Sequence, residues 1–312
     1  MEYANCLAIL ALLIPVGFLI TFIKSKPIGR VTAWSLATVA TICIILEAQG
    51  LSPFFVMLFG ILAMFFCIKS IVCLESQFAG YKRLNFLQYL CFTLGWLGMR
   101  PYLFSTLGNK PIAGGGRIML HGIIRIIIGL GLIATGISIF ETSGLTATLF
   151  FLIGLSLVLH FGISRIQTGF WRLLGVNAQI LFREPFKSKS LGEFWSFRWN
   201  LAFSEMTTIA LLRPLKPVLS DHLAVLFCFV LSGVFHEIAI SVPVNAGYGL
   251  PTLYFLIHGL MISLENKTFF KNLSIAGKRI WTIFWLIVPA PLLFHLPFIK
   301  GIVWPFFSEI KI

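Results

Sequence analysis

Apolar stretches long enough to cross a bilayer recur along the chain, separated by short polar segments. A spanning helix needs about 20 mostly apolar residues. On that measure eight spans are expected, at 4–23, 31–48, 52–68, 118–140, 146–164, 222–242, 249–266 and 280–298. A further apolar piece, Phe86 to Met99, is too short to cross; Arg100-Pro101 and the run Gly114-Gly115-Gly116 follow it. That arrangement suits an interfacial or re-entrant helix and a flexible turn. The expected fold is all-α: a polytopic integral membrane protein of about eight transmembrane helices plus interfacial or re-entrant helices. It forms a single membrane-embedded domain over 1–312, without an internal repeat.

Charge placement supports the count, because Lys and Arg mark the cytoplasmic side. With connections assigned alternately to two sides, one side receives Lys24, Lys26 and Arg30, then Lys69, Lys82, Arg83, Arg100, Lys110 and Arg117. It also receives a basic stretch from Arg165 to Lys216, then Lys267, Lys271, Lys278 and Arg279. The other side holds only Lys300 and Lys311. Eight crossings with both termini non-cytosolic follow. The membrane would be the endoplasmic reticulum in a eukaryote or the cytoplasmic membrane in a bacterium.

Composition agrees: 58% of residues are hydrophobic and 11% charged, with a mean hydropathy of +0.95, outside the range of soluble domains. The net charge of +13 follows topology, so no nucleic-acid partner is expected. Six cysteines without a CxxC pair read as packing residues rather than disulfides or a zinc site. No basic n-region precedes the first apolar run, which is read as a retained span.

Polar groups within a bilayer are costly and mark function. In the sixth span, His236 and Glu237 interrupt the run Leu231-Ser232-Gly233-Val234-Phe235, and His236 lies about 21 Å from the inner end at 1.5 Å per residue. A neutral imidazole suits that depth and can accept a proton from an alcohol. Ser232, four residues earlier, shares its helical face. His258 in the seventh span reaches similar depth and is a second candidate. Arg125 and His160 lie nearer the inner surface, where structural pairing is expected. The rival to chemistry is that His236 and Glu237 hydrogen-bond to neighbouring helices and fix packing.

Several chemistries are excluded by what is missing. His236-Glu237 begins like HExxH, but Ile240 stands where the second histidine belongs, so no metal site is expected. Asp221 is the only aspartate, which removes paired-aspartate magnesium chemistry. The other histidines are scattered, and no phosphate-binding glycine loop occurs.

A second segment, Phe194-Trp195-Ser196-Phe197-Arg198-Trp199-Asn200, precedes the sixth span on the inner side. Taken alone it suits an interfacial helix among headgroups. Together, the two segments resemble the membrane-bound O-acyltransferase superfamily, and within it the plant-type wax synthases. That branch carries an FW..RWN motif on a cytosolic-side loop, followed by a histidine in an apolar helix. Ile240-Ser241-Val242-Pro243 is similar to the same helix in diacylglycerol and sterol acyltransferases, and Leu212-Arg213-Pro214-Leu215 to an Arg-Pro element of wax synthases. Phe197 departs from the pattern, which usually has a second arginine there.

The resemblance is concentrated in a motif-bearing core, 165–265. It implies an enzyme that moves a fatty acyl group from acyl-CoA, a co-substrate rather than a bound cofactor, to a lipophilic alcohol drawn from among membrane lipids. His236 would be the general base, and Asn200 would assist at the reacting centre. Trp195, Arg198, Trp199, Ser232, Glu237 and His258 are the expected substrate-binding residues. The alternatives are a transporter or channel lined by His236, His258 and Glu237, which would be expected to show an inverted repeat, and a non-catalytic scaffold. A sterol, a diacylglycerol or a small metabolite remain alternative acceptors, and oligomeric state is not readable from the pattern.

Overall fold

The computed structural model describes residues 1–309; the expected outer-side Lys311 lies outside them. Described residues form helices and connecting turns, with no strand. In chain order these are α1 (Glu2–Ile20), α2 (Lys26–Glu47), α3 (Pro53–Phe78), α4 (Phe86–Gly95), α5 (Gly115–Ile139) and α6 (Gly144–Leu173). Then follow α7 (191–198), α8 (201–215), α9 (Asp221–Val244), α10 (Leu250–Glu265), α11 (Ile275–Leu293) and α12 (Leu296–Phe307). Seven of them, α1, α2, α3, α5, α6, α9 and α11, are long and apolar enough to span a membrane. The protein is an all-α polytopic membrane protein.

Three expectations are corrected. The seventh expected span is α10, whose 16 residues reach about 24 Å, short of a full hydrocarbon core. The eighth ends at Leu293, because Pro289, Pro291 and Pro297 crowd the stretch, and an unexpected helix, α12, follows carrying Lys300. Lys69 and Arg165 were counted on inner connections, yet both lie inside helices. Lys69 is fully buried. Its ammonium donates to the Trp96 and Gly98 carbonyls at 2.6 and 2.7 Å and sits 3.8 Å over the Phe92 ring. Those partners satisfy a charge that an apolar setting would otherwise expel, and they let α3 run on to Phe78.

Helix α4 starts at a capping box: the Asn85 side chain accepts from the Gln88 amide, and Gln88 accepts from the Asn85 amide. Arg30 pairs with Glu75 through two bonds of 2.6 and 3.0 Å, tying α2 to α3.

Helices α5 and α6 meet along glycines spaced seven apart, Gly115, Gly122, Gly129 and Gly136, which face Gly169, Gly162, Gly154 and Ala147 in turn. A methyl group on Gly129 would sit 2.7 Å from the Gly154 carbonyl oxygen. Small residues allow this approach, which drives association where no hydrophobic effect operates between helices. Gly129→Leu should therefore force the pair apart at a cost on the order of 3 kcal/mol. The check is a lowered thermal-unfolding midpoint of the detergent-solubilised protein, against an unchanged midpoint for Gly131→Leu, where the added carbon meets open space.

Wide π-helical turns interrupt five of the described helices: Leu157–Ile163 in α6, Phe194–Arg198 in α7, Thr208–Leu212 in α8, Glu237–Ser241 in α9 and Ile299–Val303 in α12. Such turns are rare and concentrate at functional sites. The first four contain or directly follow a residue that lines one cavity.

Candidate active site

The tryptophan-rich segment is held in place by α10. The Glu265 carboxylate accepts from the Leu191 and Gly192 amides at 2.6 and 3.0 Å, and the Ser190 hydroxyl accepts from the Glu193 amide. An acidic group at a helix start offsets its unpaired amides. At the other end of α7, the Arg183 amide donates to the Arg198 carbonyl at 2.8 Å and the Leu201 amide to the Leu181 carbonyl at 2.9 Å. These two bonds align 181–183 beside 198–201.

Asn200 lies between them in the left-handed region, φ 44°, which asparagine tolerates better than most residues. Its Oδ1 accepts from the Phe203 amide at 3.2 Å, capping α8. The Nδ2 amide is left to donate, and no partner for it occurs among the described residues.

Between α6, α7, α8 and α9 lies a cavity of about 730 Å³, large enough for a lipid chain and a second ligand. His236, Asn200, Ser232, Trp195 and Trp199 line it. His236 Nδ1 lies 2.7 Å from the Ser232 carbonyl. A carbonyl oxygen only accepts, so Nδ1 carries the proton and Nε2 presents a lone pair. Phe255 packs 4.3 Å from the His236 ring and 5.5 Å from Trp195, giving the basic nitrogen an apolar wall.

The other three expected residues stand outside the lining. Arg198 pairs with Glu193 at 2.6 Å and braces α7. Burial raises the Glu193 carboxyl, but the Lys189 amide and the Arg198 guanidinium outweigh that and hold it below the usual carboxylate range. Glu237 Oε1 accepts from the Gly249 and Thr252 amides, each at 3.0 Å, and from the Thr252 hydroxyl at 2.8 Å. It caps α10 across the turn from α9. His258 is fully buried, with Nδ1 3.0 Å from the Tyr254 carbonyl and Nε2 2.9 Å from the Trp285 carbonyl. It packs on Trp195 from behind and does not meet His236.

Residues 178–257 match the Membrane bound O-acyl transferase family. Through this segment the chain is similar to that family. It is 31% identical over 101 residues to the long-chain-alcohol O-fatty-acyltransferase of Simmondsia chinensis, covering 30% of this chain and 29% of that protein. It is 33% identical over 102 residues to the probable long-chain-alcohol O-fatty-acyltransferase 2 of Arabidopsis thaliana, covering 30% of each. The matched segment thus spans about 30% of the length of these relatives. Within it lie the tryptophan-rich segment and His236, the two features that the cavity brings together.

Other lining residues had no site role expected from the sequence. Arg100, Arg183 and Arg213 border the cavity and are exposed, and Arg183 and Arg213 have no carboxylate partner among the described residues. Arg100 pairs with Glu205 at 2.9 Å, whose second oxygen accepts from the Met99 amide at 3.0 Å. Burial pushes the Glu205 carboxyl above its usual range, against the pull of Arg100 and that amide. His160 lines the cavity as well, because α6 continues to Leu173 and places it about 20 Å from that end. The Arg213-Pro214 pair was a usable signal for the basic rim. The sequence marks His160 as an intramembrane histidine for which structural pairing is expected, and the structure instead places it in the lining.

Proposed function

We propose that the protein transfers a fatty acyl group from acyl-CoA to the hydroxyl of a long-chain or similarly lipophilic alcohol, yielding an ester and free CoA. The observation that carries this reading is the placement of His236 and Asn200 in the lining of one cavity, with His236 Nε2 and Asn200 Nδ2 free of partners among the described residues. His236 Nε2 takes the alcohol proton as the oxygen attacks the thioester carbon. Asn200 Nδ2 donates to the carbonyl oxygen as it gains charge. The C–S bond then breaks, and the proton held on His236 passes to the leaving thiolate.

The relatives' names supply the acceptor class, and the cavity's apolar walls of Phe203, Phe229 and Phe255 suit a hydrocarbon chain. Arg183 and Arg213 at the rim favour the phosphates of a CoA donor arriving from the cytosolic side, where the basic connections lie. The other expected binding residues act at one remove in this reading: Arg198, Glu237 and His258 hold α7 and α10 in position. A transporter reading is disfavoured because both ring nitrogens of His258 face helix carbonyls and Glu237 Oε1 caps α10.

The test uses membranes from a host without neutral-lipid synthesis that expresses the full chain. They are incubated with radiolabelled acyl-CoA and a fatty alcohol, a sterol or a diacylglycerol. Labelled ester from the fatty alcohol above empty-vector membranes is expected. No ester from any acceptor would overturn the activity.

A further inference from the structure

The cavity holds a second imidazole whose hydrogen-bonding face is the complement of the first. His160 Nδ1 lies 3.1 Å from the Ser156 hydroxyl. In the same helix Thr148, Ser164 and Thr168 each donate to the carbonyl four residues back. Ser156 makes no such bond among the described residues, which leaves its hydroxyl proton free to donate to His160 Nδ1. An imidazole that accepts at Nδ1 carries its proton at Nε2. His236 therefore presents a lone pair to the cavity and His160 presents an N–H.

The placement of that N–H is set by structure. His160 sits in the π-helical turn Leu157–Ile163, and its ring packs 5.3 Å from Trp199 and 4.8 Å from Phe182. Trp199 is followed directly by Asn200, and Phe203 at the end of the same short turn packs 6.4 Å from the His236 ring. The turn that carries Asn200 is thus flanked by His160 on one side and His236 on the other. A neutral donor here, with an apolar ring cage and no carboxylate beside it, is suited to an uncharged oxygen and to the partial charge that develops on it.

We propose that His160 Nε2–H is a second hydrogen-bond donor, beside Asn200, to the carbonyl oxygen of the acyl donor. This rests on the acyl-transfer reading of the same cavity. His160 moves no proton: it holds the carbonyl, and its bond strengthens as the oxygen becomes an oxyanion. Loss of one such donor costs about 10²–10³-fold in kcat.

The experiment compares wild type, His160→Phe and His160→Gln, purified in detergent. Phe keeps the stacking on Trp199, whereas Gln restores an N–H. His160→Phe should lower kcat about 10²-fold with a small change in KM, and His160→Gln should recover part of it. Inhibition by two unreactive donor analogues isolates the contact: a ketone in which CH2 replaces sulfur, and an S-alkyl-CoA without a carbonyl. His160→Phe should weaken the ketone about tenfold and leave the S-alkyl compound unchanged. Equal weakening of both analogues, or full activity in His160→Phe, overturns the assignment while wild-type ester formation leaves the acyl-transfer reading standing. Loss of ester formation in wild type would instead remove that reading itself.

Discussion

His236→Ala should lower ester formation by about 10³-fold, within the range spanned by general bases. The side chain hydrogen-bonds only to the Ser232 carbonyl of its own helix, so its removal breaks no hydrogen bond between helices and costs only the ring packing on Phe255 and Phe203. The variant should accumulate in membranes and unfold in detergent at the wild-type temperature. That separation distinguishes chemistry from packing: a histidine kept for helix association would lose stability and activity together. Ester yield from labelled acyl-CoA, normalised to protein amount, is the measurement. An unchanged rate would remove His236 as the base.

Asn200→Asp carries the second large effect, and the substitution divides the two jobs of this residue. Aspartate tolerates the left-handed backbone at φ 44° and can still accept from the Phe203 amide, so the start of α8 should survive. What it lacks is the amide donor, and it brings a negative charge toward a carbonyl that becomes an oxyanion. A loss of about 10²-fold or more in kcat is expected, with the thermal midpoint close to wild type. Asn200→Ala should lose the cap as well, and its midpoint should fall by the equivalent of about 1 kcal/mol. Activity retained in Asn200→Asp would show that the residue serves only as a helix cap.

Much of the architecture was legible because membrane insertion imposes strong rules. Length, hydropathy and the side on which Lys and Arg fall located seven of the spanning helices and α10, with boundaries off where a buried partner waits far along the chain. Lys69 shows why. Read locally, a lysine ends an apolar span, but the carbonyls of Trp96 and Gly98 and the Phe92 ring receive it. The period-seven glycines of α5 were visible as letters, yet only the facing Gly154, Gly162 and Gly169 give them a purpose.

The site divides along the same line. His236 and Asn200 could be singled out because a polar residue deep in an apolar run, and a motif tied to it by order and spacing, are local properties of the chain. Glu237 and His258 carried the same local signal, but their hydrogen-bond partners lie on other helices or beyond a turn, at Gly249, Thr252 and Trp285. Only packing decides whether a buried polar group faces a cavity or a neighbouring helix. His160 reversed the outcome: its sequence setting is bland, and the continuation of α6 through a π-helical turn brings it to the wall. By itself, then, the sequence determined an all-helical membrane protein and marked its tryptophan-rich segment and His236 as candidates, since bilayer burial acts on each segment separately. The tertiary structure alone decided which polar groups meet, because hydrogen bonds are short and directional and depend on how the helices are packed.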